Sequence, residues 1–218
     1  MYRTPNKPIL VTGGSGYVGS KLVPMLAQHC SVRVLETMTF GNSIAGTPNV
    51  EFIQGDIRDI DVVQRVLCGV ETVIHLAGIV TDELVDMGEN YAKSVNLHAI
   101  SLLSWEAVHA GAKRFIYASS SSVYGSQLGE CSEGTPPQPQ TAYARQKLAG
   151  EELLSKDRDN LWVFSVRSAT CCGPAPRMRL DTIVNTFCAQ AYFDKRITVW
   201  GGDQYRSNIH VDDIADLY

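Results

Sequence analysis

The sequence predicts an α/β protein built on a doubly wound parallel sheet, and three observations carry that expectation. Strand-like apolar runs alternate with helical patterns from one end of the 218 residues to the other. The first run, Ile9–Thr12, is continuously apolar, as a strand covered on both faces requires. A glycine-rich segment, Val11-Thr12-Gly13-Gly14-Ser15-Gly16-Tyr17-Val18-Gly19, then joins that run to a helical pattern.

The elements follow in order. After Ile9–Thr12, apolar residues at Val18, Leu22, Met25 and Leu26 mark the first helix, with Pro24 expected to loosen or kink it. Ser31–Glu36 and Val50–Gln54 read as the second and third strands, and Asp59–Leu67 as a short helix. Val70–Ala77 is the fourth strand. A long helix covers about Tyr91–Ala110 and is stopped by Gly111. Lys113–Ser119 is the fifth strand, and the proline- and glycine-rich stretch Gly125–Gln140 is a loop. A helix runs from Thr141 or Ala142 to about Lys156, Leu161–Val166 is the sixth strand, and Thr182–Tyr192 is a further helix. Right-handed crossovers between such units place all the strands in one parallel sheet.

Composition narrows the function classes. With 44% hydrophobic and 19% charged residues the chain reads as globular, neither disordered nor fibrous. A net charge of −4 supplies no electrostatic reason to bind nucleic acid or an anionic membrane. No apolar run approaches the ~18 residues of a membrane span. Met1–Pro8 leads straight into the first strand with no signal-peptide core, so a cytoplasmic location is expected. The cysteines at 30, 68, 131, 171, 172 and 188 lack zinc-type spacing and are expected to be buried small apolar residues, with no metal site.

Two segments carry chemistry. Gly13, Gly16 and Gly19 fit G-x-x-G-x-x-G, and Gly14, Gly16 and Gly19 fit G-x-G-x-x-G. Placed between a strand and a helix, either spacing lets the backbone approach a dinucleotide's pyrophosphate and sets it over a positive helix end. Glu36 ends the second strand, where a carboxylate accepts bonds from the adenosine ribose and repels a 2′-phosphate, which predicts NAD over NADP; otherwise it is an ordinary solvated acid. Arg33, three residues earlier, is expected to leave on the other face. Asp56 and Ile57 follow the third strand and could flank the adenine, although Gly55-Asp56 alone is an unremarkable turn.

Tyr143 and Lys147 stand four apart and project from one helix face. An ammonium close to a phenol favours phenolate, so Lys147 is expected to lower the pKa of Tyr143 and make it a usable base. The serine run Ser119–Ser122 sits at the end of the fifth strand, on the edge where open α/β sheets bind ligands.

These motifs, with Gly55-Asp56-Ile57-Arg58-Asp59, His75-Leu76-Ala77-Gly78, Ser119-Ser120-Ser121-Ser122-Val123-Tyr124-Gly125 and Asn208-Ile209-His210-Val211-Asp212-Asp213, resemble the extended short-chain dehydrogenases/reductases, in particular their nucleotide-sugar epimerase/dehydratase branch. The resemblance spans nearly the whole chain and implies a Rossmann-type domain over residues 1–169, with the start of a smaller C-terminal substrate lobe over 170–218. It implies that Tyr143 is the acid/base, that Lys147 tunes it and bonds the nicotinamide ribose, and that Ser120 is the catalytic serine. Gly13, Gly16, Tyr17, Val18, Gly19, Glu36, Asp56, Ile57, Leu76, Ala77, Gly78 and Asn96 would line NAD, Asn96 bracing the central helix and strand. Ser120, Ser121, Tyr143, Thr170, Arg179 and Arg206 would hold the nucleotide-sugar, with Arg177, Arg179 and Arg206 near its diphosphate; for Arg177 a surface ion pair is an equal reading. Such relatives continue well beyond Tyr218.

The chain departs from that pattern in two places. Relatives that dehydrate sugars carry an Asp-Glu pair after the catalytic threonine, where Ser121 and Ser122 stand here. Arg167-Ser168-Ala169-Thr170-Cys171-Cys172-Gly173-Pro174 matches an R-x-x-N-x-x-G-P segment with Thr170 in place of the asparagine. His210, Asp212 and Asp213 read as a helix start rather than a metal site. The expected reaction is NAD-dependent epimerisation of a nucleotide-sugar, at C4 through a 4-keto intermediate. A keto-sugar or other ketone reductase is the alternative, and a non-catalytic dinucleotide sensor the third reading. The resemblance also implies a homodimer through the helices after Asn96 and around Tyr143, where Val95, Leu102, Leu103, Leu148, Leu153 and Leu154 supply apolar positions.

Overall fold

The computed structural model describes residues 7–127, 129–156 and 160–218. Met1–Asn6, read above as the lead into the first strand, and Leu128, within the proline-rich loop, lie outside them. Six strands, β1 (Ile9–Thr12), β2 (Val32–Glu36), β3 (Val50–Gln54), β4 (Thr72–His75), β5 (Arg114–Ala118) and β6 (Trp162–Val166), form one sheet in the order β3-β2-β1-β4-β5-β6. Every pairing in it is parallel. The chain winds outward from β1 to β3, then returns to place β4 on the other side of β1. The strand order therefore reverses between β1 and β4, and a crevice opens at their carboxyl ends.

Both faces of the sheet are covered, which is why β1 is apolar without alternation. Leu10 packs on one side with Val73, Leu103 and Phe115, and Val11 on the other with Leu22, Val34 and Ile74. The covering helices are α1 (Gly19–Ala27), which runs through Pro24, α2 (Ile60–Leu67), capped by the Asp59 carboxylate, α3 (Asp82–Met87), α4 (Glu89–Lys93), α5 (Ala99–His109) and α6 (Ala142–Ser155). The observed strands and helices match the expected ones to within a few residues at their ends.

Three features differ from expectation. The long helix over 91–110 is α4 and α5 joined by a π-helical turn, Ser94–His98, which carries the buried Asn96. Helix α3 was not expected; Thr81 caps it through a hydroxyl that accepts from Leu84 N. A second, two-stranded parallel sheet pairs β7 (Thr170–Cys172) with β8 (Asn208–His210). Helix α7 (Ile183–Phe193) lies between these strands in sequence, and α8 (Val211–Leu217) follows them and packs on α1, where Lys21 meets Asp212 at 2.7 Å.

The cysteines correct the sequence reading. All six are free and none is fully buried: Cys68, Cys131 and Cys188 are exposed. They sit at a helix end, in a loop and on the open face of α7, none of which faces the core. No helix among the described residues is long and apolar enough to cross a membrane.

Candidate active site

The glycine segment forms the turn between β1 and α1 at the point where the strand order reverses. Gly13 has φ +73°, and a Cβ there would lie 2.7 Å from Ala77 N. A Cβ on Gly19 would lie 2.6 Å from Gly13 O, so α1 presses its first turn onto the loop. At Gly16 a Cβ would meet only Gly13 O, at 3.1 Å, and otherwise fill open space above the loop. That is a backbone cradle beside a helix N-terminus, and it suits a pyrophosphate. Val18 is the N-cap position of α1.

Glu36 ends β2 beside this cradle. Its carboxylate accepts from Ser15 N at 3.3 Å and from Thr37 N at 3.0 Å, so it is oriented by backbone on both sides. Arg33 is tied down elsewhere, on Glu51, Val66 O and Cys68 O, and brings no cation to Glu36. Asp56 is committed to Arg58, whose backbone and guanidinium donate to it, and this pair holds its carboxyl below the usual range. Ile57 is buried in the core next to it.

After β4 the backbone of Leu76, Ala77 and Gly78 runs between the two chemical segments. Ala77 N lies 3.4 Å from Thr12 Oγ1, and a Cβ on Gly78 would come 3.9 Å from Lys147 Nζ. Asn96 holds this stretch: its Oδ1 accepts from Ile79 N, and its Nδ2 donates to Ile79 O and to Gln146 Oε1. Its polar atoms are thus spent on bracing the loop after β4 and helix α6. Beneath lies His75, fully buried and bonded to Thr12 Oγ1 at 2.7 Å; burial, with the charge of Lys147, pushes its pKa down to about 3 and keeps it neutral.

Tyr143, Lys147 and Ser120 converge at the ends of β5 and α6. Lys147 is buried, donates to Ala118 O at 2.7 Å, and sits 5.7 Å from the Tyr143 ring centroid and 5.0 Å from that of Tyr117. Burial brings its pKa down to about 8. Ser120 Oγ accepts from Ser122 N and Ser122 Oγ, at 3.2 and 2.8 Å, which leaves its own proton to be donated elsewhere.

The expected lowering of the Tyr143 pKa by Lys147 is not what the structure shows. Burial pushes the phenol up to about 12, opposed by a hydrogen bond to Ser120 and then by the charge of Arg179. The ammonium lies 5.7 Å from the ring centroid, and the desolvation of a buried phenolate is the larger effect.

The residues expected to hold a substrate are brought together unevenly. Arg179 binds Asp181 at 3.0 and 2.6 Å, and its side chain is only 20% exposed. Burial opposes its charge, but Asp181 holds its pKa above the usual value. Its charge favours the ionised form of Tyr143 and so acts to lower that pKa. Thr170 begins β7, Ser121 N donates to Ser168 O at 2.9 Å, and Arg177 stacks 4.0 Å above the Phe40 ring. Arg206 stands on the exposed run leading into β8 and is not drawn to Tyr143 by any described contact. His210 caps α8 by accepting from Asp212 N at 3.2 Å; among the described residues no cluster of three metal-binding side chains occurs.

Sequence reasoning missed two groups. Asn185 donates to the hydroxyl of Tyr17, which itself donates to Gly173 O at 2.6 Å. Glu151, one turn beyond Lys147, accepts from Ser119 Oγ and from Arg167, whose remaining nitrogen donates to Tyr124 Oη at 3.1 Å. Continuing the stripe Tyr143, Lys147 by four residues would have pointed to Glu151. Arg167 lies too far along the chain for any such spacing.

The cradle at Gly16, the oriented carboxylate of Glu36 and the ammonium beside Gly78 together fit a dinucleotide with an unmodified adenosine ribose. Comparison with known proteins agrees. Residues 9–218 match the family described as the NAD dependent epimerase/dehydratase family. The uncharacterized protein y4nG of Sinorhizobium fredii is 33% identical over 213 residues, covering 96% of this chain and 52% of its own length. A dTDP-glucose 4,6-dehydratase of Streptomyces griseus is 28% identical, covering 94% of this chain and 66% of its own. A variant of the UDP-glucuronic acid 4-epimerase from Bacillus cereus, solved with UDP-4-deoxy-4-fluoro-glucuronic acid and NAD, superposes with a TM-score of 0.85 at 29% identity, covering 95% of this chain and 70% of that one. The chain thus spans about half the length of the first relative and about two thirds to seven tenths of the others. On the family match, supported by the glycine cradle and the Tyr143–Lys147 helix, the chain belongs to the NAD dependent epimerase/dehydratase family.

Proposed function

We propose that the protein is a nucleotide-sugar 4-epimerase that uses its family's cofactor, NAD. The observation that carries this reading is the convergence of Tyr143, Lys147 and Ser120 without a carboxylate at positions 121 and 122. Removing water across C5 and C6 needs an acid and a base there, and Ser121 and Ser122 are neither at neutral pH. Inverting a carbinol centre needs only one proton site and a donor to the oxygen.

Gly13, Gly16, Val18 and Gly19 would hold the pyrophosphate, Glu36 the adenosine ribose, and Lys147 the nicotinamide ribose. Bound NAD supplies the reversible two-electron oxidation of the sugar carbon. Tyr143 takes the proton from the C4 hydroxyl and gives it back after the 4-keto sugar has turned over. Ser120 donates to the same oxygen, and Lys147 keeps a positive charge near the site as the phenolate forms. Residues 1–169 act as the cofactor-binding part and 170–218 as the beginning of the substrate side.

The sugar this site favours carries an acid group. Arg179 is a mostly buried cation whose charge acts on Tyr143, and only its Nε and Nη2 are engaged by Asp181, so further guanidinium donors are left for a carboxylate. The Bacillus cereus enzyme named above was solved with a UDP-glucuronic acid derivative. Incubating the protein with NAD and UDP-glucuronic acid, UDP-glucose or dTDP-glucose tests both points. Epimerisation leaves the mass unchanged and creates a new anomeric proton signal, whereas loss of one water overturns the reading in favour of dehydration. Arg179→Gln is expected to lower kcat/KM for the uronate more than for the neutral sugars.

A homodimer and a cytosolic location complete the proposal. Trp105 is 56% exposed beside Leu102 and Ser101 on α5 and His98 at the end of the π-helical turn, a shallow apolar groove suited to a second copy. Leu103 and Leu154 do not contribute, since both are buried against the sheet. Six unpaired thiols suit a reducing compartment. Light scattering at micromolar concentration is expected to return a dimer mass.

A further inference from the structure

Tyr143, Lys147 and Glu151 recur at every fourth position of α6 and so form one stripe down the helix face that meets β5. Each of the two lower members grips a consecutive residue at the end of that strand. Lys147 Nζ donates to Ala118 O at 2.7 Å, and the Glu151 carboxylate accepts from Ser119 Oγ. The next residue is Ser120.

The turn after Ser120 is held from the other side. Arg167, just past β6, donates from Nε and Nη2 to both oxygens of Glu151, at 2.6 to 3.1 Å. Its Nη1 donates to Tyr124 Oη at 3.1 Å, and the guanidinium lies 5.0 Å from the Tyr124 ring centroid. Tyr124 closes the short 3₁₀ turn Ser121–Tyr124 that Ser120 caps. The Glu151 side chain is 11% exposed and that of Arg167 20%. A bidentate pair this sheltered holds its geometry far better than a surface ion pair.

We infer that Glu151 and Arg167 are positioning residues for Ser120: the ion pair clamps Ser119 and Tyr124 on either side of it and so fixes the Ser120 hydroxyl relative to Tyr143. Neither residue touches the reacting atoms. The inference rests on the proposed roles of Tyr143 and Ser120. It assigns a purpose to a partly buried ion pair that the acid–base chemistry leaves unused. The Ser120 hydroxyl opposes the upward push that burial gives the Tyr143 pKa, so loosening the clamp weakens that help as well.

A double-mutant cycle tests it, with initial rates measured in NAD and UDP-glucuronic acid or UDP-glucose. Glu151→Gln is expected to lower kcat about tenfold to a hundredfold with KM nearly unchanged, the signature of a misplaced catalytic group. Ser119→Ala, which leaves the ion pair intact and folds whether or not Glu151→Gln does, is expected to give a smaller loss of the same kind, and Arg167→Lys a partial one. In a Ser120→Ala background, Glu151→Gln and Ser119→Ala are each expected to add less than about twofold. Losses that multiply in that background overturn the inference, as does wild-type kcat in folded Glu151→Gln and Ser119→Ala.

A second readout needs no turnover. NMR of isotope-labelled tyrosine, with Tyr143 assigned by its loss in Tyr143→Phe, is expected to show the phenol titrating at higher pH in both Ser120→Ala and Ser119→Ala. A midpoint that moves only in Ser120→Ala overturns the clamp. Tyr143→Phe also separates the two proposals: turnover retained in it overturns the acid–base reading, while an inactive Tyr143→Phe with multiplying Ser120 and Glu151 losses overturns the clamp alone.

Discussion

Asn185 Nδ2 lies 3.0 Å from the hydroxyl of Tyr17 across 168 positions of chain, joining helix α7 to the glycine-rich loop. The same amide donates to Arg179 O at 2.8 Å, and its Oδ1 accepts from Gly173 N at 2.9 Å. The Tyr17 hydroxyl completes the circuit by donating to Gly173 O at 2.6 Å. One buried side chain thus fixes the segment that carries Arg179 against the loop that would carry the cofactor's phosphates.

Asn185→Ala removes the partner of three polar groups in a buried place and is expected to cost about 1–3 kcal/mol in urea unfolding. Tyr17→Phe removes one hydroxyl and is expected to cost about 1 kcal/mol. If the Asn185 variant is as stable as the parent, the circuit contributes nothing to holding the two parts together.

Calorimetry is expected to show NAD binding at least about tenfold more tightly than NADP, because the Glu36 carboxylate meets a 2′-phosphate with like charge at the rim of the cradle. Glu36→Ala should narrow the ratio by weakening NAD and relieving NADP. Equal or tighter NADP binding to the parent protein contradicts the assignment of Glu36.

Tyr143→Phe is expected to reduce turnover by about 10²–10⁴-fold while leaving the NAD dissociation constant nearly unchanged, since only the transferable proton is lost. Ser120→Ala should lower kcat by about 10²-fold. Ser122→Ala should do less, because Ser122 aims the Ser120 hydroxyl without being replaced by it in the reaction. Damage from Ser122→Ala equal to that from Ser120→Ala would transfer the catalytic role along the run.

Acid is expected to destabilise the protein through His75. Its folded pKa of about 3 lies below the ordinary value near 6.5, so between those pH values the unfolded chain binds a proton that the folded one refuses. Stability from this group is therefore complete above about pH 6.5 and falls as pH drops toward 3, by about 1.4 kcal/mol per pH unit. His75→Gln should be less stable at neutral pH yet show a shallower acid slope in urea midpoints taken from pH 7 to pH 4; an unchanged slope refutes the assignment.

Lys147 works in the opposite region. Its folded pKa near 8 lies below the free value of 10.5, so stability rises with pH between the two, and at pH 7 the charged, buried ammonium is a net cost. Lys147→Met is expected to raise the melting temperature at pH 7 while abolishing turnover. A lower melting temperature would mean that its bond to Ala118 O outweighs its desolvation.

The strand and helix order, the crevice beside β1 and the pairing of Tyr143 with Lys147 were legible in the sequence because each is written in local spacing. Continuous apolar runs report a strand covered on both faces, glycines at fixed offsets report a turn that no side chain can enter, and residues four apart share a helix face. Tertiary structure alone decided the rest. The strands β7 and β8 are three residues each, too short for periodicity, and exist because Thr170–Cys172 and Asn208–His210 find each other across the chain. Asn185 looks like an ordinary polar residue, and Arg167 only like the head of a short family segment, until folding sets them against Tyr17 and Glu151. The direction of the Tyr143 pKa shift was set the same way. Spacing from Lys147 places a charge near the phenol, but how much water each loses depends on everything packed around them, and that desolvation, a property of the assembled site, is the larger effect.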